Sequence, residues 1–270
     1  MATPTNGSVQ LGFSILRQFA TPPGQDSTLS EVARAMGLPV PTVHRFLKTL
    51  VAVGALAVLP GGRYTLGAQL ADLGGLVRYE TLLGRSAQAV VTSLAQRLQV
   101  TVHLSVLDAG MAKFIAKETG DPAFRVDTRV GARFEPYCTA SGKVLLAGLS
   151  TSELEDYLDT GALIPLTRQT VTDPDTLIAA VRDTRRRALA IDREEFQDGV
   201  ACLAVPVRNS VGRPVAALSA SFDARRGDLD SLATALADAS RAITAALVAC
   251  SSRNSSPGAR HSSGALFVSP

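Results

Sequence analysis

Apolar positions recur at helical spacing between residues 29 and 51, with one interruption. Leu29, Val32, Ala33 and Met36 make a first stripe, Gly37 breaks it, and Val43, Phe46, Leu47, Leu50 and Val51 make a second. Upstream, SVQLGFSILRQFA (8–20) predicts a helix with Val9, Phe13, Leu16 and Phe19 or Ala20 turned inward. Thr28 with Glu31 fits a capping box at the start of the first stripe, with Ser30 as a rival cap. Pro41 suits the first position of the next helix, where a missing N–H costs nothing. Ala33 is small where two helices would cross, Gly37 allows the left-handed turn between them, and Val43 points back into the crossing. That spacing describes a helix-turn-helix. Ala55–Leu59 and Arg63–Leu66 then read as short strands around Pro60-Gly61-Gly62, which makes the unit winged.

The period changes along the rest of the chain. Residues 67–98 read as two helices broken near Arg78–Thr81. Thr101–Glu118 reads as two strands around an Asp108-Ala109-Gly110 turn, followed by a loop to Pro136. TASGKVLLAGL is a short helix, TSELEDYL another capped by Thr151 or Ser152, and DPDTLIAAVRDTRRRA a longer one. ALAID, ACLAVPVRN and RPVAALSASFD read as strands, with a hairpin turn at Asn209–Arg213, and an amphipathic helix closes the unit. Residues 251–270 are rich in Ser, Gly and Pro and are expected to be disordered.

Charge changes the picture at one place. The polar side of the 41–50 helix carries Pro41, Thr42, Arg45, Lys48 and Thr49, with His44 at its edge and no acid. A solvated face mixes both signs, so this one suits a polyanion. Net charge is only +3, so any basic surface is local. Thr42, His44 and Arg45 are candidates for base edges in the major groove of double-stranded DNA. Lys48 and Arg63, the latter at the wing tip, are candidates for phosphate.

Three widely spaced cysteines form no CxxC and no ligand set with the three histidines, so neither a disulfide framework nor a metal is expected, and no cofactor motif is present. A reduced, cytoplasmic setting is the simplest reading. No signal peptide is visible, and no apolar run reaches membrane-spanning length.

A second constellation lies in the strands. Ser219 and Ser221 alternate along ALSASF, so both hydroxyls share one face, opposite Leu218, Ala220 and Phe222. TASGK opens a helix whose free N–H groups suit an anion. A P-loop fails there, because Tyr137 replaces the first required glycine and Val144 the Ser/Thr. Asp192 and Cys202 lie on or beside neighbouring strands. Read from the residues alone, Asp192 equally caps a turn and Cys202 equally fills a core. Phe124, Phe134 and Leu104 are candidates for an apolar lining, or for core.

The segments LSEVARAMGLPVPTVHRFLKTLVAVGAL and YTLG resemble the DNA-binding domain of the IclR family of bacterial transcription regulators. VHLSVLDAG, YCTASGKVLLA and IDREEFQDGVACLAVPVRNSVGRPVAALSAS resemble its effector-binding domain, in the same order. The resemblance runs from about residue 8 to 250. It implies a mixed α+β architecture: a winged helix-turn-helix (1–66), a linker helix (67–80) and a GAF-like α/β effector domain (81–250), ahead of the tail (251–270). It implies a homodimer or homotetramer on a DNA operator, modulated by a small, carboxylate-bearing organic acid, with no membrane partner. By resemblance, the effector site comprises Ala140, Ser141, Asp192, Cys202, Ser219 and Ser221. Tyr137 departs from the pattern, standing where a histidine is often found. The alternative is an enzyme, a hydrolase with Cys202 or Ser141 as nucleophile and His103 as base.

Overall fold

The computed structural model describes residues 6–20, 25–226 and 228–250. The tail 251–270 and the tip of the loop at 21–24 lie outside them. Helix α1 (Gly7–Arg17) starts at Asn6, whose side chain accepts the N–H groups of Ser8 and Val9. Its inward face is the expected one only in part: Leu16 and Phe19 turn inward, but Val9 and Phe13 do not. Gly12, Ile15 and Phe19 are buried, with Leu11 and Leu16 beside them, while Val9 and Phe13 are 57% and 60% exposed. The apolar string carries two overlapping stripes, and the one ending in Ile15 and Phe19 meets the core of Val32, Val43, Leu47 and Leu56.

A two-residue strand that no periodicity announces, β1 (Ser27–Thr28), precedes α2 (Leu29–Met36). Thr28 and Glu31 form the reciprocal capping box, so Ser30 is not the cap. Gly37 ends α2 at φ 62°, a value cheap only for glycine. In α3 (Val40–Ala52) Pro39 is the cap, so Pro41 takes the second position rather than the first, where its missing N–H is still no loss. The wing is β2 (Leu56–Leu59) and β3 (Arg63–Leu66), with β3 between β1 and β2 in an antiparallel sheet.

Helix α4 (Ala68–Gly75) has no buried residue. The chain breaks at 76–78, and α5 (Tyr79–Leu98) begins within the break expected near Arg78–Thr81. Strands β4 (Thr101–Asp108) and β5 (Met111–Thr119) follow, joined by Ala109 and Gly110 at φ 50° and 80°. A second short strand, β6 (Arg133–Phe134), was also illegible. Helix α6 (Ala140–Ala147) is capped by Thr139. Helix α7 (Thr151–Asp159) is capped by Ser150, not Thr151 or Ser152, because the reciprocal partner Glu153 lies three residues on. Then come α8 (Pro174–Arg187), β7 (Ala190–Arg193), β8 (Val200–Arg208), β9 (Pro214–Asp223) and α9 (Leu229–Cys250).

The large sheet runs β6-β5-β4-β9-β8-β7, antiparallel throughout. One face is covered by α5 and α9: Leu83, Val91, Leu232 and Leu236 pack on Leu104, Leu203, Leu218, Ala220 and Phe222. Leu104 therefore belongs to this core and lines no site. The other face meets α6 through Ala140, Val144, Leu145, Ala204 and Ala217. A bulge puts one extra residue, Ile115, between the partners of Leu104 and Ser105. It turns both Phe114 and Lys117 to the α6 face, beside His103. Among the described residues, no helix is long and apolar enough to cross a membrane.

Candidate functional site

Register brings polar residues together on the α6 face. Asp192, Cys202, Ser221 and Thr101 pair in turn across β7, β8, β9 and β4, and Ser219 pairs with His103 one step along. The cavity above them is lined by Ser219, Ser221, Cys202, Asp192 and His103 from the strands, and by Thr139 and Ser141 from the start of α6. Phe114, Phe134 and Phe196 line its apolar side. Its empty space, counted out to its open mouth, is about 420 Å³.

Most of these side chains have a partner. The Cys202 thiol lies 3.1 Å from the Ser221 hydroxyl. Asp192 accepts the Glu195 N–H at 2.7 Å, so it caps a turn and lines the cavity at once. His103 Nε2 is 2.7 Å from the Thr128 hydroxyl. Its ring lies 4.4 Å from that of Phe114, which stacks on Phe134 at 4.3 Å. Thr139 accepts the Gly142 N–H at 2.9 Å, and intrahelical bonding leaves the Ala140 and Ser141 amides at the mouth of α6.

Burial sets the charge states. It holds His103 down at about 3, and the nearby Lys117 ammonium pushes the same way, so the imidazole is neutral. It pushes Asp192 up to about 7; the Glu195 carboxylate adds to this, while the Glu195 N–H, Lys143 and Cys202 oppose it. It pushes the Cys202 thiol far up, with Asp192 adding to the effect. A thiol held protonated is a poor nucleophile, which weighs against a Cys202-centred reaction.

The structure thus brings Ser141, Asp192, Cys202, Ser219 and Ser221 to one cavity. The Ala140 side chain does not line the cavity, its methyl packing in the α6–sheet core. Phe134 lines the cavity, but Phe124 does not. Tyr137 faces elsewhere, packed with Leu146, Leu154, Leu177 and Val181. Its hydroxyl donates to the Ile164 carbonyl and accepts the Ile164 N–H. Phe114, Thr128 and Phe196 were missed as lining residues, and His103 was noticed only as a possible base. The alternation of Thr101, His103 and Ser105 along β4 was the available signal, the same period-two pattern that exposed Ser219 and Ser221.

On the helix-turn-helix, His44, Arg45 and Lys48 are exposed along α3, and Thr42 is half-buried at its start. Arg63 is not a free cation at the wing tip. Its guanidinium donates to the Asp26 carbonyl at 2.8 Å and lies 3.0 Å from the Asp26 carboxylate and 3.7 Å from Glu31.

These two sites meet a matching pair of family models. Residues 8–60 match the IclR helix-turn-helix domain, and residues 80–245 match the bacterial transcriptional regulator IclR C-terminal domain. The chain belongs to the IclR family of transcriptional regulators. Among its relatives, the HTH-type transcriptional regulator XynR of Escherichia coli is 34% identical over 226 residues, covering 83% of this chain and 89% of that one. The E. coli regulator KdgR is 31% identical, covering 73% and 76%. The crystal structure of the Thermotoga maritima IclR superimposes with a TM-score of 0.59 at 28% identity, covering 89% of this chain and 98% of that chain. An IclR homolog from Microbacterium hydrocarbonoxydans, complexed with 4-hydroxybenzoate, gives 0.60 at 25% identity, covering 90% and 99%. XynR, KdgR and the E. coli repressor IclR are transcriptional regulators.

Proposed function

We propose that this regulator binds an operator in double-stranded DNA as a homodimer or homotetramer in the cytoplasm, and that a small carboxylic acid in the cavity sets its operator affinity. One observation carries the effector reading: the cavity joins an aromatic wall to a floor of hydroxyls at the start of α6. Ser219, Ser221 and the α6 amides suit a carboxylate, and Phe114 and Phe134 suit a flat apolar body. The homolog that holds 4-hydroxybenzoate supports this class of ligand. In the DNA complex, α3 enters the major groove with Thr42, His44 and Arg45 at base edges and Lys48 on phosphate. An effector shifts DNA affinity only by favouring one arrangement of the subunits over another. Helix α4, which buries nothing of its own, is the connector through which that preference reaches the DNA-binding unit.

The test is a thermal-shift screen of the full chain against keto, hydroxy and aromatic acids, followed by operator titration with any hit. A ligand at a hundred times its Kd stabilises by about 2.7 kcal/mol. A hit that Ser219→Ala abolishes, and that changes operator affinity, supports the reading. A hit that Ser219→Ala and Ser221→Ala both leave intact places the effector elsewhere.

A further inference from the structure

Among the described residues, the cavity lining contains no lysine or arginine, and its one carboxyl group is Asp192. The nearest cations stand outside it and are already engaged. Lys143 on α6 is buried in an ion pair with Glu195. Lys117 on β5, in register with His103, donates to the Val126 and Thr128 carbonyls at 3.0 and 2.5 Å. The remaining ionisable groups near Asp192 are the Cys202 and Cys138 thiols. On the elements behind β7, Asp183 and Arg187 of α8 and Asp230 of α9 line a separate groove with Arg193. A carboxylate entering the cavity would therefore meet another carboxyl group and no lining cation. Two like charges in a buried site cannot both stay ionised, and one proton resolves the conflict.

We propose that an effector carboxylate enters this cavity together with one proton, held between it and the Asp192 carboxyl, so that the site selects monocarboxylic acids over dianions. This rests on the reading of the cavity as the effector site. Neutral dipoles then complete the binding: the Ser219 and Ser221 hydroxyls and the first amides of α6. His103, held neutral, adds no charge. The proton is at hand near neutrality because burial has already raised Asp192 to about 7. Asp192→Asn keeps an oxygen for the Glu195 N–H and fixes the group in its neutral form.

The experiment is calorimetric titration of the full chain with 4-hydroxybenzoate, its neutral amide and the dianion terephthalate. Titrations run from pH 6 to 8.5 in two buffers of different ionisation heat. The expected result is 4-hydroxybenzoate affinity that is flat up to about pH 7 and weakens by about tenfold per pH unit above it. Uptake should approach one proton per ligand at pH 8, terephthalate should give no heat, and Asp192→Asn should bind 4-hydroxybenzoate independently of pH. Equal affinity at pH 6 and 8.5 without buffer-dependent heat overturns the proposal, as does tight binding of terephthalate. Binding of the amide but not the acid overturns it while leaving the cavity as a ligand site. No binding of acid or amide at any pH instead sinks the reading of the cavity as an aromatic-acid site, and the proton linkage with it.

Discussion

A β carbon on Gly142 would stand 2.0 Å from the carbonyl oxygen of Pro136. The contact is with backbone, so no side chain can swing aside. It seats the first turn of α6 against the turn that carries Tyr137 and Cys138. Gly142→Ala is expected to cost roughly 3 kcal/mol, the upper end for overpacking, and to weaken ligand binding by displacing the Ser141 end of the cavity. Urea unfolding measures the first effect. An unchanged midpoint would show that α6 can slide without penalty.

The buried pair of Lys143 and Glu195 should behave asymmetrically. One Glu195 oxygen meets Lys143, and the other is buried without a hydrogen-bond partner. Lys143→Met strands the carboxylate and should cost about 3–5 kcal/mol, whereas the double change with Glu195→Leu should recover most of that loss. Denaturation of the two single variants and the double gives the cycle. A single variant within 1 kcal/mol of the parent would mean that water reaches Glu195.

On DNA, Arg45 and Lys48 should separate. Arg45→Ala is expected to lose about 1–3 kcal/mol and to relax sequence choice, while Lys48→Ala weakens all sequences alike and lowers the salt slope by about 1. Arg63→Ala should leave the slope nearly unchanged, because its guanidinium is occupied by Asp26. Anisotropy titrations across a salt series decide. An equal change for Arg63 and Lys48 would show that Arg63 leaves Asp26 for phosphate.

Two buried groups pull stability in opposite directions with pH. His103 sits at about 3 in the fold against an ordinary 6.5, so the unfolded chain takes the proton first, and stability falls as pH drops from 6.5 towards 3. Asp192 sits at about 7 against an ordinary 3.8, so its contribution is full below 3.8 and is lost as pH rises through 7. Between 4 and 6.5 the two slopes offset. In Asp192→Asn only the histidine slope remains. The variant should therefore gain on the parent by roughly 1.4 kcal/mol per pH unit across that window. Urea midpoints at pH 4.5, 5.5 and 6.5 test this, and parallel curves would contradict it.

What the chain revealed in advance depended on how local each signal was. The Thr28–Glu31 box, the glycine after α2 and the serine alternation on β9 are written within a few residues, and all were readable. The inward face of α1 was readable only in part: Leu16 and Phe19 lie inward as expected, but Val9 and Phe13 are as apolar as Leu11 and Ile15, and only the neighbouring helices choose between them. Strands β1 and β6 are two residues long and carry no period. The ion pair of Lys143 with Glu195 joins residues 52 positions apart, and the Arg63–Asp26 contact spans 37, so neither leaves a local trace. Thr139 and Ser141 entered the cavity where the helix opening at TASGK suggested. The aromatic wall depended on the bulge at Ile115, which reverses the face of half a strand.

The row of Asp192, Cys202, Ser221 and Thr101 shares its strands with the core residues Leu203, Ala220 and Val102, one position out of phase. Because the side-chain period is two, inserting or deleting a single residue in β8 or β9 would drive the hydroxyls into the core and the leucines into the cavity. Ligand preference in this scaffold is thus open to point substitution and closed to length change within the strands. A library that diversifies it should vary side chains on β4, β8 and β9 and confine insertions to the turns, such as Asn209–Arg213.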